Sequence, residues 1–155
     1  MKNFRIVMAA LTAGVLALSA HPLLAATTVS STFAVSATVN DKCSIKTGPA
    51  AYSFGTYDPT IATDHDTGSG SAVIKCTKGT TASITLTTPT VMTNGTDNLT
   101  HSFFQDAGRG TAFGTVTYNS TSNADNTVNF YGRIPALQDV STGSYAGTSS
   151  FNVTY

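Results

Sequence analysis

Seven consecutive residues, Ser149-Ser150-Phe151-Asn152-Val153-Thr154-Tyr155, alternate polar and apolar and finish on an aromatic. Period two places Phe151, Val153 and Tyr155 on one face, which predicts a strand with one buried side. Such a strand needs a partner from earlier in the chain, either to close a sandwich or to stand as an edge. Thr27 to Val39 repeats the pattern. Val29, Phe33, Val35, Ala37 and Val39 share a face, with Ser31 as the polar interruption. Ser30, Thr32, Ala34, Ser36 and Thr38 fall on the other. These residues are small or β-branched and suit an extended backbone.

Short runs of the same kind fill the space between. Cys43-Ser44-Ile45 and Tyr52 to Tyr57 read as strands, the second half-buried and stopped by Asp58-Pro59. Ile61 to Gly70 is polar and glycine-rich and reads as a loop. Ser71 to Thr77 puts Ala72, Ile74 and Cys76 on one face. Ala82 to Thr88 turns Ile84 and Leu86 inward and ends at Pro89. Asn94-Gly95 is a strong turn signal. The rest of Val91 to Gly110 resists assignment, with Leu99 to Gln105 either a strand or irregular. Thr111 to Tyr118 is a strand with Phe113 and Val116 or Tyr118 inward, and Thr127 to Gly132 another. Asn119 to Asn126 is a polar turn. Ser144-Tyr145 and Phe151 to Tyr155 form one bent strand or a hairpin around Gly147. Strands this short, punctuated this regularly, predict an all-β sandwich.

The first 26 residues read as a secretory signal peptide. Lys2 and Arg5 precede the apolar run Ile6 to Leu18, and small residues follow at Ala20, Ala25 and Ala26. Cleavage falls after Ala25 or Ala26. Removing 26 residues from 155 leaves 129, enough for one domain with one core. That portion holds six basic and eight acidic residues, all eight Asp, for a net charge of −2. No basic patch suggests nucleic acid as a partner. Cys43 and Cys76 are its two cysteines, and export makes one intramolecular disulfide the expected pairing.

Equipment for catalysis is missing from the pattern. Asp64-His65-Asp66 sits in the polar loop, where adjacent side chains do not converge on a cation without support. His101 carries no signature, and Gly108-Arg109-Gly110 lacks the Lys-Ser/Thr of a phosphate loop. No enzyme activity, cofactor or metal is expected. Tyr52, Phe54 and Tyr57 read as core.

Several segments, taken in order, resemble the spore coat protein U family, which supplies subunits of archaic chaperone–usher pili. They are Cys43-Ser44-Ile45 after the alternating N-terminal segment, Tyr52-Ser53-Phe54-Gly55-Thr56-Tyr57-Asp58-Pro59, Val73 to Gly79 around the second cysteine, and Phe103 to Ala112. The most specific are Tyr131-Gly132-Arg133-Ile134-Pro135-Ala136 and Gln138-Asp139-Val140, followed by Gly143-Ser144-Tyr145 and the closing strand. Ser31, Leu137 and the lack of tryptophan depart from the family pattern.

The resemblance implies an incomplete immunoglobulin-like sandwich completed by a donated strand. A periplasmic chaperone lends that strand during export. At an outer-membrane usher, the neighbouring subunit's N-terminal segment replaces it. By position, residues 27–39 are the donor, Val29, Phe33, Val35, Ala37 and Val39 its plugs, and residues 40–155 the pilin domain. Ile45, Tyr145, Phe151, Val153 and Tyr155 then line the acceptor groove that also meets the chaperone. The protein is expected on the cell surface, in a pilus that serves adhesion and biofilm formation. Two other readings compete: a self-associating spore or cell-surface coat protein, and a secreted carbohydrate-binding module.

Overall fold

The computed structural model describes residues 26–87 and 90–155. The signal-peptide reading up to Ala25, and the stop at Pro89, lie outside the described residues.

Nine strands form among those residues: β1 Cys43–Thr47, β2 His65–Cys76, β3 Thr81–Thr87, β4 Val91–Thr93, β5 Asn98–Thr100, β6 Ser102–Phe104, β7 Val116–Asn119, β8 Asp125–Ile134 and β9 Ser150–Thr154. One sheet has the order β1-β2-β8-β6, a second β7-β3-β9, and β4-β5 is a hairpin. The hairpin turns at Asn94-Gly95, where Gly95 takes φ +94°. Every described strand pairing is antiparallel.

The two larger sheets share a core. Ile74, Cys76 and Val128 from the first meet Ala82 and Ile84 from the second, with Val116, Tyr118, Phe151 and Val153 packed at the margin. A second cluster gathers Phe54, Leu99, Phe103, Phe130 and Ile134. A disulfide joins Cys43 to Cys76, as the export reading expected. The fold is an all-β, immunoglobulin-like sandwich that lacks a strand along one side.

Residues 26–37 belong to a separate unit. They run without helix, turn or strand pairing, and Val29, Phe33 and Val35 are exposed.

Three expectations need correction. Tyr52 to Tyr57 alternates and buries Phe54, yet it joins no sheet. The β1–β2 ladder shifts register between Ile45 and Thr47, Pro49 has no N–H to donate, and Gly55 turns the chain with φ +71°. The loop expected over Ile61 to Gly70 ends early, because β2 already begins at His65. Its polar residues sit on a strand because they pair with β8, His65 opposite Ile134 through Gly70 opposite Phe130, with Gly70 lying under the ring of Phe130. The strand expected over Thr111 to Tyr118 pairs only from Val116, and before it Ala112 makes a single bridge to Phe104.

Candidate functional site

The sandwich is closed on one side and open on the other. On the closed side, Ala112 bridges Phe104 and the Phe113 N–H donates to the Phe103 carbonyl at 2.8 Å, linking the β6 edge toward β7. On the open side, the edge strands β1 and β9 run close to each other. No hydrogen bond joins them among the described residues. Unpaired N–H and C=O groups therefore line both lips, which is how a sheet edge templates an added strand.

The side chains tell the same story. Ile45 shares a face with buried Cys43, yet it is 44% exposed. Phe151 lies opposite Leu86, and Val153 opposite fully buried Ile84, but both are only half-buried. Tyr155 continues that face and is 58% exposed. These apolar residues point inward and lack a lid.

Two clefts extend the opening beyond the strands. One, of about 370 Å³, lies between residues 49–54 and 147–151, over Leu86, Met92, His101, Phe103 and Phe130. The other, of about 550 Å³, lies between residues 52–59 and 140–145, over Met92, Leu99 and Ile134. Tyr145 lines it, with its hydroxyl fixed by donating to the Ser141 carbonyl at 2.8 Å and accepting from Asn94 Nδ2 at 3.0 Å. Of the five residues expected at a groove, Ile45 lies on β1, Phe151 and Val153 on β9, Tyr155 just beyond it, and Tyr145 in the lining of the second cleft. The aromatic floor of Phe103 and Phe130, with Met92 and His101, is what sequence reasoning missed. The relevant signal was there in Ser102-Phe103-Phe104, inside the stretch that resisted assignment.

The signature residues hold this opening in shape. The Tyr52 hydroxyl donates to the Thr67 carbonyl at 2.6 Å and accepts from the Gly132 N–H at 2.8 Å, at the bulge between Thr67 and Ser69. A Cβ on Gly132 would stand 2.6 Å from the Phe54 ring and 2.7 Å from that hydroxyl, so only glycine fits. Arg133 grips Asp66 with two hydrogen bonds, 2.6 and 3.0 Å, which hold the Asp66 carboxyl below the usual range. The Tyr57 hydroxyl donates to the Pro135 carbonyl at 2.9 Å and accepts from the Gln138 N–H at 3.0 Å. Gln138 in turn pairs its amide with both backbone groups of Thr100, as a strand would.

Among the described residues, His65 and His101 are each engaged by the surrounding backbone or rings. His65 Nε2 lies 2.7 Å from the Phe54 carbonyl, Asp64 accepts from the Ala136 N–H, and Asp66 is held by Arg133. His101 is 4% exposed between the rings of Phe54 and Phe103, and its Nδ1 has no hydrogen-bond partner. Burial there lowers its pKa, keeping the cleft floor neutral. Among the described residues, no three His, Cys, Asp or Glu side chains gather to hold a metal ion. The geometry suits an extended, apolar-faced peptide better than a small ligand.

Comparisons with known proteins bear on this fold. No curated protein matches the chain. A solved chaperone-usher pilus structure aligns with TM-score 0.50 at 18% identity, covering 84% of this chain and 99% of that one. A second structure is a pre-assembly complex of the chaperone CsuC with the tip adhesion subunit CsuE, from archaic chaperone-usher Csu pili of Acinetobacter baumannii. It aligns with TM-score 0.46 at 17% identity, over 76% of this chain. This chain spans only 40% of that one's length. The Spore Coat Protein U domain matches residues 29–152, from the first expected plug to the middle of β9. With that match running through both lips of the open side and every signature residue that shapes it, the chain belongs to the spore coat protein U domain family.

Proposed function

We propose that this chain is a non-catalytic structural subunit of an archaic chaperone–usher pilus, polymerised by strand donation. The single observation that carries the reading is the open side. Inward-facing Ile45, Phe151 and Val153 lack cover, while the same chain carries a strand-like apolar face at Val29, Phe33, Val35, Ala37 and Val39 whose residues are exposed. Residues 27–39 of one copy fill the groove of the next. Each plug fully buried contributes roughly 1.5–3 kcal/mol, so four or five of them with a backbone ladder make a tight joint.

The partners that follow are a periplasmic chaperone that covers the groove first, an outer-membrane usher, and neighbouring subunits. The destination is the cell surface, after export through the periplasm under a signal peptide. The roles served there are adhesion and biofilm formation.

The test compares periplasmic mature protein with a form starting at Asn40, each with and without the chaperone, by gel filtration and non-boiled SDS gels. SDS-resistant ladders should vanish on deletion of residues 27–39, and a synthetic Thr27–Val39 peptide should restore a stable monomer. A soluble monomer that survives the deletion unaided would overturn the reading and favour a binding module.

A further inference from the structure

We infer that the subunit body is electrically polar and that successive copies meet lysine end to aspartate end at each joint. The inference rests on the strand-donation reading above.

All four lysines of the described chain sit toward one end of the sandwich. The Lys42 carbonyl accepts from the Thr77 N–H at 2.8 Å, beside Lys78 in the β2–β3 turn. Lys75 lies 3.9 Å from Asp125, and Lys46 is on β1. Asp41 and Asp125 are the acids there, so four lysines against two aspartates leave +2. The opposite end, where β2 begins and β8 stops, carries Asp58, Asp64, Asp66, Asp97 and Asp139, with Asp106 in the loop that also supplies Arg109. Its two bases are committed. Arg133 is held by Asp66 and Asp64, and Arg109 by the carbonyls of Gly132 and Thr67 at 2.9 Å, with Asp66 at 3.3 Å. Six aspartates against two arginines leave −4.

Within one subunit the two ends barely interact. The 12 residues of β2 separate them by roughly 36 Å, against a Debye length of about 8 Å at physiological salt. Between subunits in contact the screening is far weaker.

The strand is silent on this point, because Thr27 to Val39 contains no charged residue. Its attachment to the body is not. It joins through Asn40-Asp41-Lys42, at the lysine end, whereas the larger cleft opens among Tyr57, Pro59 and residues 140–145, at the aspartate end. A donated strand running antiparallel to β9 leaves its Val39 end at the receiver's aspartate end. The donor's Lys42 and Lys78 then meet the receiver's loops at 58–64 and 135–139. A parallel strand would bring two lysine ends together. Charge therefore selects the orientation that lets the polymer grow head to tail. Ile61 and Leu137, 49% and 60% exposed beside these aspartates, offer apolar contact in the same patch.

The experiment follows light scattering as the mature chain is diluted from denaturant into 20–300 mM NaCl. The polymerisation rate should fall about tenfold across that range. Lys42→Glu with Lys78→Glu should slow it at low salt, as should Asp58→Lys with Asp139→Lys. All four changes in one chain restore opposite signs across the joint and should restore the rate. The Thr27–Val39 peptide should cap growth equally at every salt concentration. Melting temperatures of the peptide-bound variants separate lost steering from lost fold. A wild-type rate that is flat in salt, or a four-change chain as slow as its parents, overturns the inference and leaves strand donation intact. A peptide that never caps growth overturns strand donation itself.

Discussion

Gly132 shows how a recognisable motif acquires a physical reason. Its missing Cβ is the seat of the Tyr52 hydroxyl, and that hydroxyl completes the ladder at the β2 bulge. Gly132→Ala should cost about 1–3 kcal/mol from overpacking, and Tyr52→Phe a similar amount from the orphaned Gly132 N–H. Urea melts of the peptide-complemented subunit would measure both. Leu137, a departure from the family's pattern, holds φ +57° at an exposed position, a backbone conformation that glycine and asparagine adopt more cheaply. Leu137→Gly should raise stability by about 1 kcal/mol in the same melts. His101 supplies the pH dependence. Burial lowers its folded pKa below the unfolded value of 6.5, so the unfolded chain binds the proton first. Stability is full above that value and drains away as the pH falls through it toward the folded pKa. The slope between pH 6.5 and 5 should flatten in His101→Phe. The sequence displayed these residues openly, but a contact between Gly132 and a tyrosine 80 positions earlier has no local signature.

Among elements, legibility followed periodicity. β3, β8 and β9 were readable because each has one wet and one dry face, so Ala82, Ile84 and Phe151 mark the burial directly. The first half of β2 was not, since its glycines and polar residues announce a loop and only pairing with β8 holds them straight. Tyr52 to Tyr57 failed the other way, alternating correctly at the open side where no ladder partner exists. The five residues expected at a groove came from the closing strand and the family's pattern, whereas the aromatic floor of the cleft depended on β5 and β6, each too short for a period to register. β1 is a five-residue edge tied covalently to β2 at its first residue. Closing a loop of 33-residue separation restricts the unfolded chain by about 3.7 kcal/mol in the chain-entropy model. Cys43→Ser with Cys76→Ser should lose stability of that order. Hydrogen exchange should show β1 opening before β2, with peptide affinity falling in step.

For the molecule as a whole, folding and assembly become one event if the groove needs another copy's strand. A chain carrying a second copy of residues 27–39 fused after Tyr155 tests this and reports strand direction together. Antiparallel to β9, the fused strand turns back as a hairpin through a linker of a few residues. Parallel, it needs a linker long enough to retrace the groove. Stable monomers from the short linker are expected, with melting temperatures well above that of the uncomplemented chain. Equal behaviour of short and long linkers would remove the directional argument. The place of the disulfide matters once such a fibre is pulled. Tension along the donated strand enters each body at residue 40 and reaches Cys43 three residues later. From there a covalent bond passes it to Cys76 on β2, which is ladder-bonded on both sides. The five-residue edge strand is thus spared from being peeled away one hydrogen bond at a time. Drag on such a filament would be resisted by long ladders loaded in shear, and reducing the disulfide should lower the force at which a subunit gives way.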